Sequence, residues 1–128
     1  MARKSSNRPT DAELAILRIL WDKGPSTVRQ VHEVLDAGGD VGYTTVLKTM
    51  QIMTEKGLLD RDESNRAHVY MPRKEKAETQ GHLLADLRDR AFKGSTSSLV
   101  LQALSTQKAS ADDLAEIRAL LDRLEGEK

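Results

Sequence analysis

From Tyr43 to Glu55 the apolar residues Tyr43, Val46, Met50 and Met53 recur three and four positions apart, the period of one helix face. Thr44, Lys48, Gln51 and Glu55 fall on the opposite face, with Thr45 and Ile52 on its flank. One face is composed for burial and the other for presentation. The same period runs upstream, where Leu14, Leu17 and Trp21, with Ile16 and Leu20 beside them, form a wide stripe. Thr10 and Glu13 open that helix at capping-box spacing, and Lys23-Gly24-Pro25 closes it. Ser26 or Thr27 caps a shorter helix whose expected buried side is Val28, Val31, Val34 and Leu35. A break follows at Ala37-Gly38-Gly39-Asp40, and Gly57 stops the third helix. Leu58 to Arg61 can begin a strand, Asp62 to Asn65 turn by composition, and Ala67 to Met71 alternate as a returning strand. Met50, Met53 and Met71 read as core fillers, and Trp21 as closing the core between the first and third helices.

Three compact helices followed by one hairpin is the winged helix-turn-helix arrangement, with the third helix as the reading helix and residues 60–67 as the wing tip. Beyond Pro72 the pattern changes. A long helix is expected from Glu75 to Phe92, with Leu83, Leu84, Leu87 and Ala91 on a stripe, and Gly94-Ser95 breaks and recaps the chain. Leu99, Val100, Ala103 and Leu104 mark a short helix; Ser110 and Asp113 begin the last, with Leu114, Ile117, Leu121 and Leu124 at near-heptad spacing. Three helices in about fifty residues are too few to enclose a core of their own. A second copy of the chain is the economical cover for their stripes. The expected organisation is mainly α: a flexible basic arm (1–9), a winged-helix DNA-binding domain (10–74) and a three-helix C-terminal dimerisation domain (75–128).

Charge modifies this picture only slightly. Among 128 residues, 20 Lys+Arg balance 20 Asp+Glu, which argues against a simple polybasic binder. Residues 1–74 hold 12 Lys+Arg against 10 Asp+Glu and residues 75–128 hold 8 against 10, a mild asymmetry that permits a DNA-facing first half. Arg3, Lys4 and Arg8 make the arm basic. The absence of cysteine excludes disulfides, thiolate metal sites and cysteine nucleophiles. His32, His68 and His82 fall on different elements without paired spacing, so neither a metal site nor another cofactor is expected. With no Gly-rich phosphate loop and no nucleophile–base pairing, an enzyme has nothing to stand on. No apolar run is long enough to span a bilayer and no signal segment opens the chain, so a cytoplasmic protein is expected.

The run Tyr43-Thr44-Thr45-Val46-Leu47, then Glu55-Lys56-Gly57-Leu58-Leu59, then Arg66-Ala67-His68-Val69-Tyr70, resembles the DNA-binding domain of the penicillinase and methicillin-resistance repressors, the BlaI/MecI family. The Leu and Trp before a Gly in the first helix and Phe92-Lys93-Gly94-Ser95 in the second half fit the same family, so the resemblance covers nearly the whole chain after residue 8. It implies a homodimeric winged-helix repressor on a double-stranded operator, a dyad of TACA/TGTA-type half-sites. Thr44, Thr45, Lys48 and Ile52 stand where the family's base-contacting and groove-facing residues lie, with Gln51 adjacent. The residue types suit the work: threonine methyls meet thymine methyls, glutamine pairs with adenine, and lysine reaches guanine or phosphate. By periodicity alone, a capping role for the threonines and a solvated Lys48 stand as an equal reading. Arg61 and Arg66 flank the wing tip as phosphate or minor-groove contacts; the alternative is ordinary surface pairing with Asp60, Asp62 or Glu63.

The resemblance also implies how such a protein lets go, and here the chain departs from it. Antibiotic-responsive members are cleaved at an Asn-Phe bond in the short helix of the second half, through a membrane-bound sensor metalloprotease. By position that bond corresponds to Gln102-Ala103, where neither residue type matches. The copper-responsive branch uses C-terminal cysteines, which this chain lacks. Disruption of the dimer is the expected release. Two rivals remain: a small-molecule-gated winged-helix regulator, for which four aromatic residues offer little pocket lining, and a winged-helix protein-interaction module without DNA binding.

Overall fold

The computed structural model describes residues 8–127. Arg3 and Lys4 of the expected arm lie outside them. The chain divides into two compact units, one through Leu83 and one from Leu84 onward.

In the first unit α1 (Asp11–Lys23) starts at a complete capping box: the Glu13 amide donates to Thr10 Oγ1 at 3.2 Å and the Thr10 amide to Glu13 Oε1 at 2.9 Å. It ends at Gly24, whose φ of +90° is a conformation that side chains with a Cβ resist. α2 (Val28–Ala37) begins at a second box, Thr27 with Gln30, which decides between the two expected caps. Ser26 does something else. Its amide donates to the Tyr70 carbonyl at 3.0 Å and the Tyr70 amide donates back at 2.8 Å, an isolated antiparallel bridge absent from the sequence expectations. α3 (Tyr43–Glu55) follows the glycine-rich break.

β1 (Leu59–Asp62) and β2 (Val69–Pro72) pair antiparallel in the register Leu59↔Pro72, Asp60↔Met71, Arg61↔Tyr70, Asp62↔Val69. The wing tip is therefore residues 63–68, shorter than expected: Arg61 sits within a strand opposite Tyr70, and only Arg66 is at the tip. Ile16, Leu17 and Leu20 from α1, Val28 and Val31 from α2, Val46, Met50 and Met53 from α3, and Leu59 and Tyr70 from the hairpin make one buried core. Fully burying each such side chain contributes roughly 1.5–3 kcal/mol, so the one face of the hairpin that carries Leu59 and Tyr70 is locked to the helices.

Several expected core positions are corrected. Val34 is 39% exposed, because the covered side of α2 runs through Val28, Val31 and Leu35, and Val34 lies about 60° round the helix on the far side of Val31. Tyr43 is 45% exposed at the first residue of α3, its ring edge-on to His32 rather than inside. Met71 is half-buried, on the less covered face of β2. Trp21 is half-buried against the core, and its Nε1 is shut from solvent without a hydrogen-bond partner.

α4 (Lys76–Ala91) begins in the first unit and ends in the second, where Lys93 and Gly94 both take positive φ to turn the chain. α5 (Thr96–Thr106) is capped by Ser95, and α6 (Ala111–Gly126) by a Ser110–Asp113 box. Not one side chain of these three helices is buried. The contrast with the first unit is sharp: Leu84, Leu87, Val100, Leu104, Leu114, Leu121 and Leu124 are all exposed, and Leu83, Leu99 and Ile117 are half-buried.

Candidate nucleic-acid interface

α3 is held from behind. With Val46, Met50 and Met53 buried completely or nearly so, its opposite face is committed to the outside. Thr44, Thr45, Lys48, Gln51 and Ile52 are all exposed there, as is Glu55. At 100° per residue Lys48 lies near the middle of that face. Thr49 and Thr54 donate their hydroxyls back to the Thr45 and Met50 carbonyls, at 2.8 and 2.9 Å. Among the described residues the side chains of Thr44, Thr45, Lys48 and Gln51 make no such bond within the chain, so neither threonine is a cap. The cap position is Gly42, which supplies no side-chain acceptor.

Beside this face, the start of α2, the start of α3 and the wing enclose a groove of about 360 Å³. Arg29 and Arg66 line it with Thr27, Tyr43, Leu47 and His68, and no carboxylate does. The carboxylates of the wing are engaged locally. Asp60 pairs with Arg73 at 2.9 Å, Glu63 pairs with Arg61 at 2.6 Å, and Asp62 accepts from the Ser64 amide and hydroxyl at 2.9 and 2.7 Å. Those two bonds from Ser64, with the nearby His68, hold the Asp62 carboxyl below the usual range. Tyr70 and then Glu63 favour the charged guanidinium of Arg61. Arg61 thus follows the surface-pairing alternative, while Arg66 faces the groove. A chain of zero net charge still presents a positive recess, because Arg29 and Arg66 line it and no carboxylate does.

Arg29, Thr27 and His68 were not singled out as contacts by sequence reasoning. The Thr27–Gln30 capping spacing was the available signal, since it places Arg29 in the first turn of α2. A second unforeseen feature is the ion pair of buried Glu13 with Lys56 at 2.8 Å, which ties the start of α1 to the end of α3. Lys56 also donates to the Arg8 carbonyl at 3.4 Å.

In the second unit, Gln102 and Ala103 fall inside α5 and are exposed. Among the described residues no group of three His, Asp or Glu side chains is placed to hold a metal, and no helix is long and apolar enough to cross a membrane.

A helix presented over a locked core, a paired wing beside it and a separate helical unit define a winged-helix DNA-binding regulator. Residues 9–123 match the family model described as penicillinase repressor. The chain is 34% identical over 117 residues to the transcriptional regulator BlaI of Mycobacterium tuberculosis, covering 90% of this chain and 83% of that one. It is 23% identical to the methicillin resistance regulatory protein MecI of Staphylococcus aureus over 89% of this chain and 93% of MecI. It is 22% identical to the penicillinase repressor of Bacillus licheniformis over 93% of each. The chain belongs to the penicillinase repressor family, a transcriptional repressor of the BlaI/MecI type and not an enzyme.

Proposed function

We propose that the protein represses transcription as a homodimer on a double-stranded dyad operator, each copy laying α3 in a major groove. The observation that carries this is the outward face of α3, where Thr44, Thr45, Lys48, Gln51 and Ile52 are exposed opposite a fully buried face. Phosphates flanking the groove meet Arg66 and Arg29; Arg61 joins them only by leaving Glu63. Exposed leucines on α4, α5 and α6 support a second copy as their cover, and that copy sets the half-site spacing.

Release follows from loss of the dimer, because a single small domain with few phosphate contacts binds weakly. Where a membrane-bound sensor metalloprotease triggers that loss, Gln102–Ala103 is the bond to inspect. It lies within a helix, and a helical peptide must unwind before it can lie extended in a protease cleft.

The test is Lys48→Ala with Gln51→Ala, assayed on duplexes selected from a random pool. Each lost base contact removes about 1–3 kcal/mol of discrimination, so the pair should reduce operator affinity by about a hundredfold or more while thermal unfolding stays put. Retained affinity would refute α3 as the reading helix.

A further inference from the structure

The link between α2 and α3 is Gly38-Gly39-Asp40-Val41-Gly42, with three glycines in five residues. Such a backbone loses much conformational freedom on ordering and resists it accordingly. α3 also starts there without a side-chain cap. Buried Val46 anchors one side of its first turn, and the end of the link needs a second hold, which His32 on α2 supplies. Its Nε2 lies 2.8 Å from the Val41 carbonyl oxygen. The carbonyl can only accept, so Nε2 carries the hydrogen and donates. The same ring stands edge-on to Tyr43, with centroids 5.7 Å apart and planes at 79°. One side chain thus grips the residue before the cap and the residue after it.

We propose that His32 is a positioning residue for operator recognition: through Val41 and Tyr43 it sets the first turn of α3, and with it the base-facing Thr44 and Thr45. The proposal rests on α3 being the reading helix. Its signature is selective. Base-edge contacts demand exact geometry, whereas attraction to phosphate is long-ranged and tolerant. Loosening the first turn should weaken operator binding and leave nonspecific binding alone.

The experiment measures the full-length protein on a selected operator duplex and on a scrambled duplex of equal length, at one salt concentration. His32→Phe keeps a ring against Tyr43 but has no donor for Val41. It should lose about fivefold or more in operator affinity, the worth of one hydrogen bond, with the scrambled duplex unchanged. Hydrogen exchange should quicken at the Val46 amide, which bonds Gly42 at 3.2 Å, and not at the Met50 and Met53 amides. His32→Gln, whose amide nitrogen takes the place of Nε2, should restore both. Should His32→Phe not fold, His32→Asn serves, because its nitrogen takes the place of Nδ1 and falls short of Val41; it too should lose operator affinity. Wild-type operator affinity in these variants, neither of which can donate to Val41, or equal losses on both duplexes, would overturn the role of His32. Lys48→Ala runs alongside: full affinity in that variant would instead overturn the reading of α3, and the His32 proposal with it.

Discussion

Glu13 and Lys56 offer the most exacting test of how α3 is held. Glu13 is 4% exposed, and its Oε1 accepts from the Thr10 amide at 2.9 Å and from the Lys56 ammonium at 2.8 Å. Replacing Lys56 by Met leaves a buried carboxylate with one neutral donor. Breaking a fully buried pair in this way costs about 3–5 kcal/mol. The Lys56 side chain is 20% exposed, so water partly compensates and about 2–3 kcal/mol is the working figure. Glu13→Gln keeps an acceptor for Thr10 and should cost only about 1 kcal/mol. The double variant buries no charge and should cost about 1–2 kcal/mol, well below the sum of its parts. Urea unfolding followed by Trp21 fluorescence, at one protein concentration, gives all four corners of the cycle. A coupling under about 0.5 kcal/mol, the ordinary scatter of independent sites, would refute the clamp. So would a Lys56→Met variant as stable as the parent.

Further outcomes can be checked separately. Arg29→Ala and Arg66→Ala should each lower the slope of log affinity against log salt by about one, as loss of a phosphate contact does, whereas Arg61→Ala should change it less. Leu121→Glu with Leu124→Glu should convert the proposed dimer to a monomer in sedimentation while α1–α3 and the wing stay folded; a persistent dimer would remove α6 from the interface. Asp62, its folded pKa lowered by Ser64, stabilises the wing tip above its unfolded pKa and loses that contribution as pH falls through the folded value. NMR titration should find its midpoint below the usual carboxylate range, and Ser64→Ala should raise it. Gly57→Ala should destabilise by about 1–2 kcal/mol, the cost of a left-handed conformation for an L side chain, since Gly57 has φ +86° and a Cβ there would lie 3.2 Å from the mobile end of Arg73.

Periodicity made the helices legible because α1, α2 and α3 each bury one stripe, and a stripe is visible without knowing what it packs on. It misplaced Val34 and Tyr43 for the same reason. Spacing tells which residues share a face, not how far round or along the helix the neighbour's cover reaches. The outward face of α3 was recoverable, since Lys48, Gln51 and Ile52 are defined by what lies opposite them on one element. The groove was not. Arg29 and Arg66 are 37 positions apart, and the Ser26–Tyr70 bridge that brings α2 and the wing together is made of backbone bonds, to which side-chain patterns are blind. Glu13–Lys56 escaped likewise: a capping glutamate looks complete once Thr10 answers it, and nothing local announces a second partner on α3.

The pairing of acids within the wing bears on how such a protein searches a genome. A polybasic binder is held by every stretch of duplex it meets, and most copies sit on irrelevant sequence. Here Asp60 and Glu63 are paired with Arg73 and Arg61, Asp62 keeps its charge, the whole chain is neutral, and the positive recess is confined to a few side chains. For the dimeric repressor proposed above, weak general attraction would leave more copies free and let operator occupancy follow the number of intact dimers closely. A modest fall in that number would then switch the regulated genes on.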